Sequence, residues 1–218
     1  MDKERVAIGL PIYKLVPSEF FKSFFVFSGY MQKNHSPAMI IIDNMYISMA
    51  RQQTLNLFLE SDCEYLFFLD SDMVFPPNIF DLLKEKDEDI ISALYFSRND
   101  PENPVFRIHK DGKVMKVIDY PENRIFKVDS VGMGCCLIKR KVIEKMTEDN
   151  PGKFLFDTPQ IDKNNCMGED VFFCNLATKS GFEVKVDSSI IVGHVGGVVT
   201  EIQHKAAREN ILKEQKNH

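Results

Sequence analysis

Asp70 and Asp72 stand two residues apart at the end of an unbroken apolar run, Tyr65-Leu66-Phe67-Phe68-Leu69, with Met73 and Pro76-Pro77 following. The run has no helical spacing and reads as a strand buried on both faces. Such a strand pushes its polar groups to its end. In an extended backbone, residues two apart point to the same side. The expectation is therefore two carboxylates aimed at one spot, beside the crevice where open α/β sheets bind ligands. That chemistry suits a hard divalent cation, and a cation held there can carry a phosphate. Two later features fit the same purpose. Glu169 and Asp170 follow Gly168 at the start of a helical stretch, where the helix dipole favours carboxylates. Capping accounts for Glu169 as well as function does, so Asp170 is the acid expected to face a substrate hydroxyl. His194 lies in Gly193-His194-Val195-Gly196-Gly197, where glycines let the backbone approach a ligand. An imidazole with carboxylate oxygens suits Mn²⁺ or Mg²⁺, and Mn²⁺ better because of the nitrogen.

The elements that would position these groups follow from punctuation and pattern. Val6–Leu10 is a short apolar strand before Pro11, and Ser18 can cap a helix running to about Phe27, with a turn at Ser28-Gly29. Met39–Ile42 is a second strand, and a helix from about Tyr46 to Glu60 puts Ile47, Ala50, Thr54 and Phe58 on one face. After the central strand come a helix through Leu82-Leu83 and a strand from Ile90 to Phe96. This alternation predicts a parallel sheet with right-handed crossovers. The second half differs. Asp111-Gly112 signals a hairpin between Val105–His109 and Lys113–Ile118. Further strands are expected at Ile125–Val128, Cys135–Ile138, Glu183–Val186 and Ile190–Val192, with helices from Arg140 to Met146, from Gly168 to Ser180, and from Glu201 to Lys216. The loop from Asn150 to Asn165 is long for a compact domain, which favours a functional role or mobility.

Composition bounds the partners. The 218 residues make one large domain, with 44% hydrophobic and 27% charged residues, ordinary for a globular protein. A formal net charge of −5 argues against a nucleic-acid binder, although a local metal can still attract a small anion. Eighteen Phe and no Trp read as core packing. No apolar stretch reaches the roughly 20 residues of a spanning helix, and Met1–Arg5 is charged without a signal-peptide apolar region. The five cysteines form no CxxC pair; reduced core thiols of a cytoplasmic protein are the expectation, and a zinc site is not.

In order along the chain, Leu66-Phe-Phe-Leu-Asp70-Ser-Asp72, Val131-Gly132-Met133-Gly134-Cys-Cys-Leu-Ile, Gly168-Glu169-Asp170-Val-Phe-Phe and Gly193-His194 together resemble the GT-A-fold glycosyltransferases, across roughly Val6 to Gly197. The resemblance implies a single α/β domain with a mostly parallel central sheet flanked by helices and a small antiparallel hairpin region. Residues 1–100 would form the nucleotide-binding half, 101–200 the acceptor and catalytic half, and 201–218 a C-terminal helix. It implies transfer of a sugar from a UDP- or GDP-sugar to a hydroxyl acceptor (glycan, protein, lipid or small molecule) with Mn²⁺ or Mg²⁺. By that likeness Asp72 and His194 ligate the metal and Asp70 acts on the ribose or through a water. Asp170, with Glu169 beside it, is the general base of an inverting reaction. Arg51 fits a basic position near the nucleotide, Asp43 could recognise base or ribose, and Arg98 could reach donor phosphates or sugar. Gly132 and Gly134 would let a sugar approach the backbone. The first strand departs from the family pattern, reading Leu10-Pro11-Ile12-Tyr13-Lys14 instead of Pro-Thr-Tyr-Asn. Two other readings stand beside it. One is a haloacid-dehalogenase-type phosphatase, with Asp70 attacking phosphorus and Asp72 supplying a proton. The other is a nucleotide-sugar or glycan-binding module without turnover. A nucleotidyltransferase ranks below the phosphatase, because no Gly-rich, Lys/Arg-bearing phosphate loop follows the first strand.

Overall fold

The chain alternates strand and helix through its first half: β1 (Arg5–Ile12), α1 (Ser18–Asn34), β2 (Ser36–Asp43), α2 (Ile47–Glu60), β3 (Tyr65–Leu69), the two-residue β4 (Met73–Val74), α3 (Ile79–Lys84) and β5 (Ile90–Leu94). Short strands dominate next: β6 (Phe106–Lys110), β7 (Lys113–Met115), β8 (Ile125–Val128), β9 (Ser130–Val131) and β10 (Cys135–Lys139). Then follow α4 (Arg140–Asp149), α5 (Glu169–Lys179), β11 (Val184–Ile191) and β12 (Gly193–His194). The computed structural model describes residues 3–97, 103–110, 113–115 and 119–196. The turn expected at Asp111-Gly112 and the helix expected over 201–216 lie outside these residues, although β6 and β7 pair antiparallel as a hairpin would.

Seven strands form one mixed sheet in the order β2-β1-β3-β10-β5-β11-β8. β1 is parallel to β2 and β3, and β11 is parallel to β5. β10 runs against both β3 and β5, and β8 against β11. The carboxyl ends of β1, β2, β3, β5 and β11 thus share one edge, joined there by the amino end of β10. Two further small sheets, β12-β4 and β7-β6-β9, sit apart from the main one.

The apolar run of β3 serves two cores, as a strand covered on both faces must. Leu66 and Phe68 enter one cluster with Phe58 and Phe173, beneath α2 and α5. Phe67 and Leu69 enter the other with Phe27 and Phe80, beneath α1 and α3. Much of the phenylalanine is used here: Phe27 meets Phe67 and Phe75 edge-on at 6.1 and 5.4 Å, and Phe156 stacks on Phe173 at 4.6 Å. α2 lies so close to β1 that a Cβ on Gly9 would stand 2.6 Å from a Thr54 methyl carbon.

Several boundaries differ from the sequence expectation for identifiable reasons. α1 runs through Ser28-Gly29 to Asn34, because Gly29 costs a helix only about 1 kcal/mol while Phe27 and Met31 on either side are fully buried. Ser18 does not cap it: Pro17 precedes the helix, and the Ser18 hydroxyl pairs with Glu19 at 3.1 Å. The two strands expected over 183–192 are one, β11, with an irregularity between Asp187 and Ile191. The long loop is tied down, since the buried N–H groups of Leu155 and Phe156 both donate to Gln52 Oε1, at 2.7 and 3.2 Å. All five cysteines are free thiols and all but Cys166 are buried. Burial pushes the Cys174 thiol up to about 12, so it is a packing residue and not a nucleophile. Among the described residues no helix is long and apolar enough to cross a membrane.

Candidate functional site

Asp70 and Asp72 border one cleft but take different partners. β3 ends at Leu69, and the next residues turn, with the Met73 N–H donating to the Asp70 carbonyl at 3.2 Å. The same-side rule for an extended strand therefore does not apply to this pair, and the two carboxylates serve different neighbours.

Asp70 faces inward. Both of its oxygens accept from Arg51 Nη2, at 2.9 and 3.0 Å, while Arg51 Nη1 donates to Glu169. The Arg51 side chain is 4% exposed, so one guanidinium joins α2, the end of β3 and the start of α5. Burial alone would lower its pKa, but the carboxylates of Asp70 and Glu169 more than offset this and raise it. Burial raises the Glu169 pKa, opposed by Arg51 and reinforced by Asp170. Arg51 is thus turned toward carboxylates of the protein and not toward the cleft.

Asp72 faces His194. The pairing of β4 with β12 sets His194 against Met73, and the Val195 N–H donates to the Asp72 carbonyl at 2.7 Å. This ladder places His194 Nε2 3.6 Å from Asp72 Oδ2, with both side chains 16% exposed. His194 Nδ1 lies 3.0 Å from the Phe96 carbonyl oxygen. A carbonyl only accepts, so Nδ1 carries a proton and donates to it, and Nε2 is the nitrogen turned toward the carboxylate. With Nε2 unprotonated, its lone pair and the carboxylate oxygen would be two ligands that one cation could bridge. The gap is too long for a direct hydrogen bond, yet two ligands each about 2.1 Å from one ion stand roughly 3–4 Å apart. A backbone carbonyl fixing the far nitrogen is also the usual support of a metal-bound histidine. The residues present fit a divalent ion. Among the described residues no three His, Cys, Asp or Glu side chains are grouped to hold one, so an ion here would have this pair as its protein ligands and would need water or ligand oxygens for its other positions.

Tyr95, just past β5, is the residue that motif reading missed, because it sits in an apolar strand end and looks like core. It is 4% exposed, its ring meets His194 edge-on at 5.6 Å, and its hydroxyl accepts the Gly134 N–H at 3.0 Å. Burial, then the Asp70 carboxylate, raises its pKa well above the ordinary phenol value. It also accounts for both glycines: a Cβ on Gly132 would lie 2.2 Å from the Tyr95 hydroxyl oxygen, and one on Gly134 2.9 Å. The room these glycines leave is filled from within the protein, not held open for a sugar.

Asp170 begins α5 beside Glu169, with Oδ1 accepting the Val171 N–H at 2.7 Å. Its charge reaches both Tyr95 and Glu169, which places it in the same cluster. Asp43 ends β2 opposite Ile12, at the same sheet edge. Arg98 lies outside the described residues. A cleft of about 390 Å³ opens at this edge, lined by Pro11, Tyr13, Tyr46, Asp70, Ser71 and Asp72 among others. Asp72 thus borders both the cleft and the His194 ring. Asp70 and Glu169 already engage the Arg51 guanidinium, and Asp72 adds a further carboxylate to the cleft wall, so an anion entering the cleft needs further positive charge.

No protein-family model matches the chain, nor does any curated protein. Among solved structures, A197 from STIV shares 21% identity, with a TM-score of 0.56 over 88% of this chain and 85% of that one. The inositol-1-phosphate CTP transferase from T. maritima is more distant, at 13% identity and a TM-score of 0.48 over 90% of each chain. The chain shares the fold of A197.

Proposed function

We propose that the protein is a metal-dependent glycosyltransferase that moves a sugar from a nucleotide-sugar to a hydroxyl acceptor. The observation that carries this reading is the Asp72–His194 pair, an imidazole nitrogen and a carboxylate oxygen 3.6 Å apart at the border of a cleft. The order of motifs shared with GT-A glycosyltransferases supports the same conclusion. When bound, Mn²⁺ or Mg²⁺ would neutralise the negative charge of a departing nucleoside diphosphate. Asp72 and His194 would hold it, with Asp70 positioned by Arg51 at the cleft wall. Tyr13 and Tyr46, 63% and 81% exposed, offer aromatic faces to a nucleobase at the cleft mouth. Asp170 would take the proton of the acceptor hydroxyl. The phosphatase reading is weaker, since its nucleophile would be Asp70, whose oxygens are both engaged by Arg51.

Thermal shifts with a panel of nucleoside diphosphates and nucleotide-sugars, each with and without Mn²⁺, test the proposal. Ligand that binds only the folded state raises the melting temperature by linkage. The expected result is a large shift when metal and nucleotide are both present and little with either alone. Release of phosphate from simple esters, with no response to nucleotide-sugars, would favour the phosphatase instead.

A further inference from the structure

β2 ends the main sheet, and among the described residues no strand lies beyond it. Ser36 and Asn44 donate their N–H groups to Glu4 and Ile12, at 2.8 and 3.0 Å, on the β1 side. Strand residues turn alternately to one neighbour and the other, so Ala38, Ile40 and Ile42 also face β1. Pro37, Met39, Ile41 and Asp43 turn their backbone groups outward. Natural edges are commonly blunted by charge, proline or short length. This one has eight residues, and its middle, Met39 to Ile42, carries neither charge nor proline. Side chains add to the exposure: Met39 and Ile41 are 40% and 53% exposed. With Ile8, Phe24 and Met31 they line a groove of about 560 Å³ between α1 and β2.

Edge and groove together require an occupant that brings backbone groups to β2 and apolar side chains to the groove. A second copy supplies both from the same strand. We propose that two copies of this chain pair β2 to β2, antiparallel across a two-fold axis, and so continue the sheet from one molecule into the next. Centred on Ile40, this register sets Met39 of each copy opposite Ile41 of the other, outward groups facing outward groups. Charge favours the same direction. The Ser36 end of the strand lies beside Lys33, in the last turn of α1, and Lys3, which borders the groove. The other end carries the exposed Asp43. Antiparallel pairing brings each acidic end to a basic end.

Light scattering on the full chain, over a wide range of concentration, reads the outcome directly, and hydrogen exchange at the Met39 and Ile41 amides reports on the strand itself. The expected result is a two-chain mass with slow exchange at both amides. Ile41→Lys puts a charge in the seam, and Met39→Pro deletes an outward N–H. Each should return the mass to one chain while leaving the circular dichroism spectrum unchanged, since neither position is buried. Ile41→Lys should also restore fast exchange at Met39. A one-chain mass at every concentration overturns the proposal; slow exchange in that case would mean that another part of this chain covers β2. A two-chain mass that survives both substitutions overturns it as well.

Discussion

Asp72 Oδ2 and His194 Nε2 face each other across 3.6 Å because β4 and β12, two residues each, pair as an antiparallel ladder beyond the main sheet. The Phe96 carbonyl oxygen lies 3.0 Å from His194 Nδ1 and orients the ring from the far side. Metal affinity should therefore depend on this pair above all. Losing a supporting hydrogen bond around a metal ligand typically costs about 10–100-fold in affinity, and losing a ligand itself should cost at least that much. Calorimetric titration with Mn²⁺ should show such a drop for Asp72→Asn and for His194→Ala. The double variant should be little worse than either single one, since the two act as a unit. Unchanged affinity in His194→Ala would remove the imidazole from the site.

Arg51 gives an asymmetric prediction for stability. Removing it as Arg51→Met leaves Asp70 and Glu169 without their shared cation, and breaking a buried pair from one side costs about 3–5 kcal/mol. Glu169→Gln should cost far less, because burial already disfavours its charge. The sign follows from the raised pKa of Glu169. Between its ordinary value of 4.5 and the raised value, the folded state holds more protons than the unfolded one. Stability contributed by the neutral carboxyl is thus fully present below 4.5 and is lost as pH rises through the folded pKa. Urea unfolding across that window should show wild type losing stability relative to Glu169→Gln as pH increases. A parallel pair of curves would mean that Glu169 is not perturbed.

The central strand was legible because a run without periodicity, closed by acids and prolines, has few other readings. Asp72, Asp170 and His194 could be singled out because strand ends, helix starts and glycine-flanked imidazoles stand out in a sequence, and the structure brings Asp72 and His194 within 3.6 Å. The ladder that joins Asp72 to His194 was not legible, since two-residue strands have no pattern to read. Tyr95 was hidden in an apolar strand end, and Arg51, named in sequence as a basic residue near a nucleotide, gets its carboxylate partners Asp70 and Glu169 only from tertiary packing. For Asp70 the extended-backbone expectation ends at Leu69, where the chain turns, although both acids still border the cleft.

Tyr95 ties the glycine turn to the imidazole, so substitutions at the glycines should be felt at the metal pair. Gly132→Ala places a methyl 2.2 Å from the Tyr95 hydroxyl and 2.7 Å from a Val105 methyl carbon. Overpacking of this kind costs about 1–3 kcal/mol, and the displaced ring would disturb His194. The expected outcome is lower melting temperature together with weaker Mn²⁺ binding. Adding Tyr95→Phe to Gly132→Ala removes one of the two clashes and should recover part of both losses. No recovery would show that Val105, and not Tyr95, makes the turn require glycine.

Asp170 and Glu169 are neighbours with different freedom, and that difference decides which can act as a base. Glu169 is held by Arg51, whereas among the described residues Asp170 Oδ1 accepts a local N–H, from Val171 at 2.7 Å. An asparagine keeps that acceptor, so Asp170→Asn should fold normally and bind nucleotide with Mn²⁺ as wild type does. It loses the group that takes the hydroxyl proton, and general-base catalysis contributes about 10²–10⁴-fold. Water can stand in for an unidentified acceptor, so slow release of nucleoside diphosphate from a nucleotide-sugar measures the step without knowing the natural acceptor. Release should fall by that factor in Asp170→Asn while the thermal shift with nucleotide and metal persists. If release continued at the wild-type rate, the base would have to be sought elsewhere at the cleft.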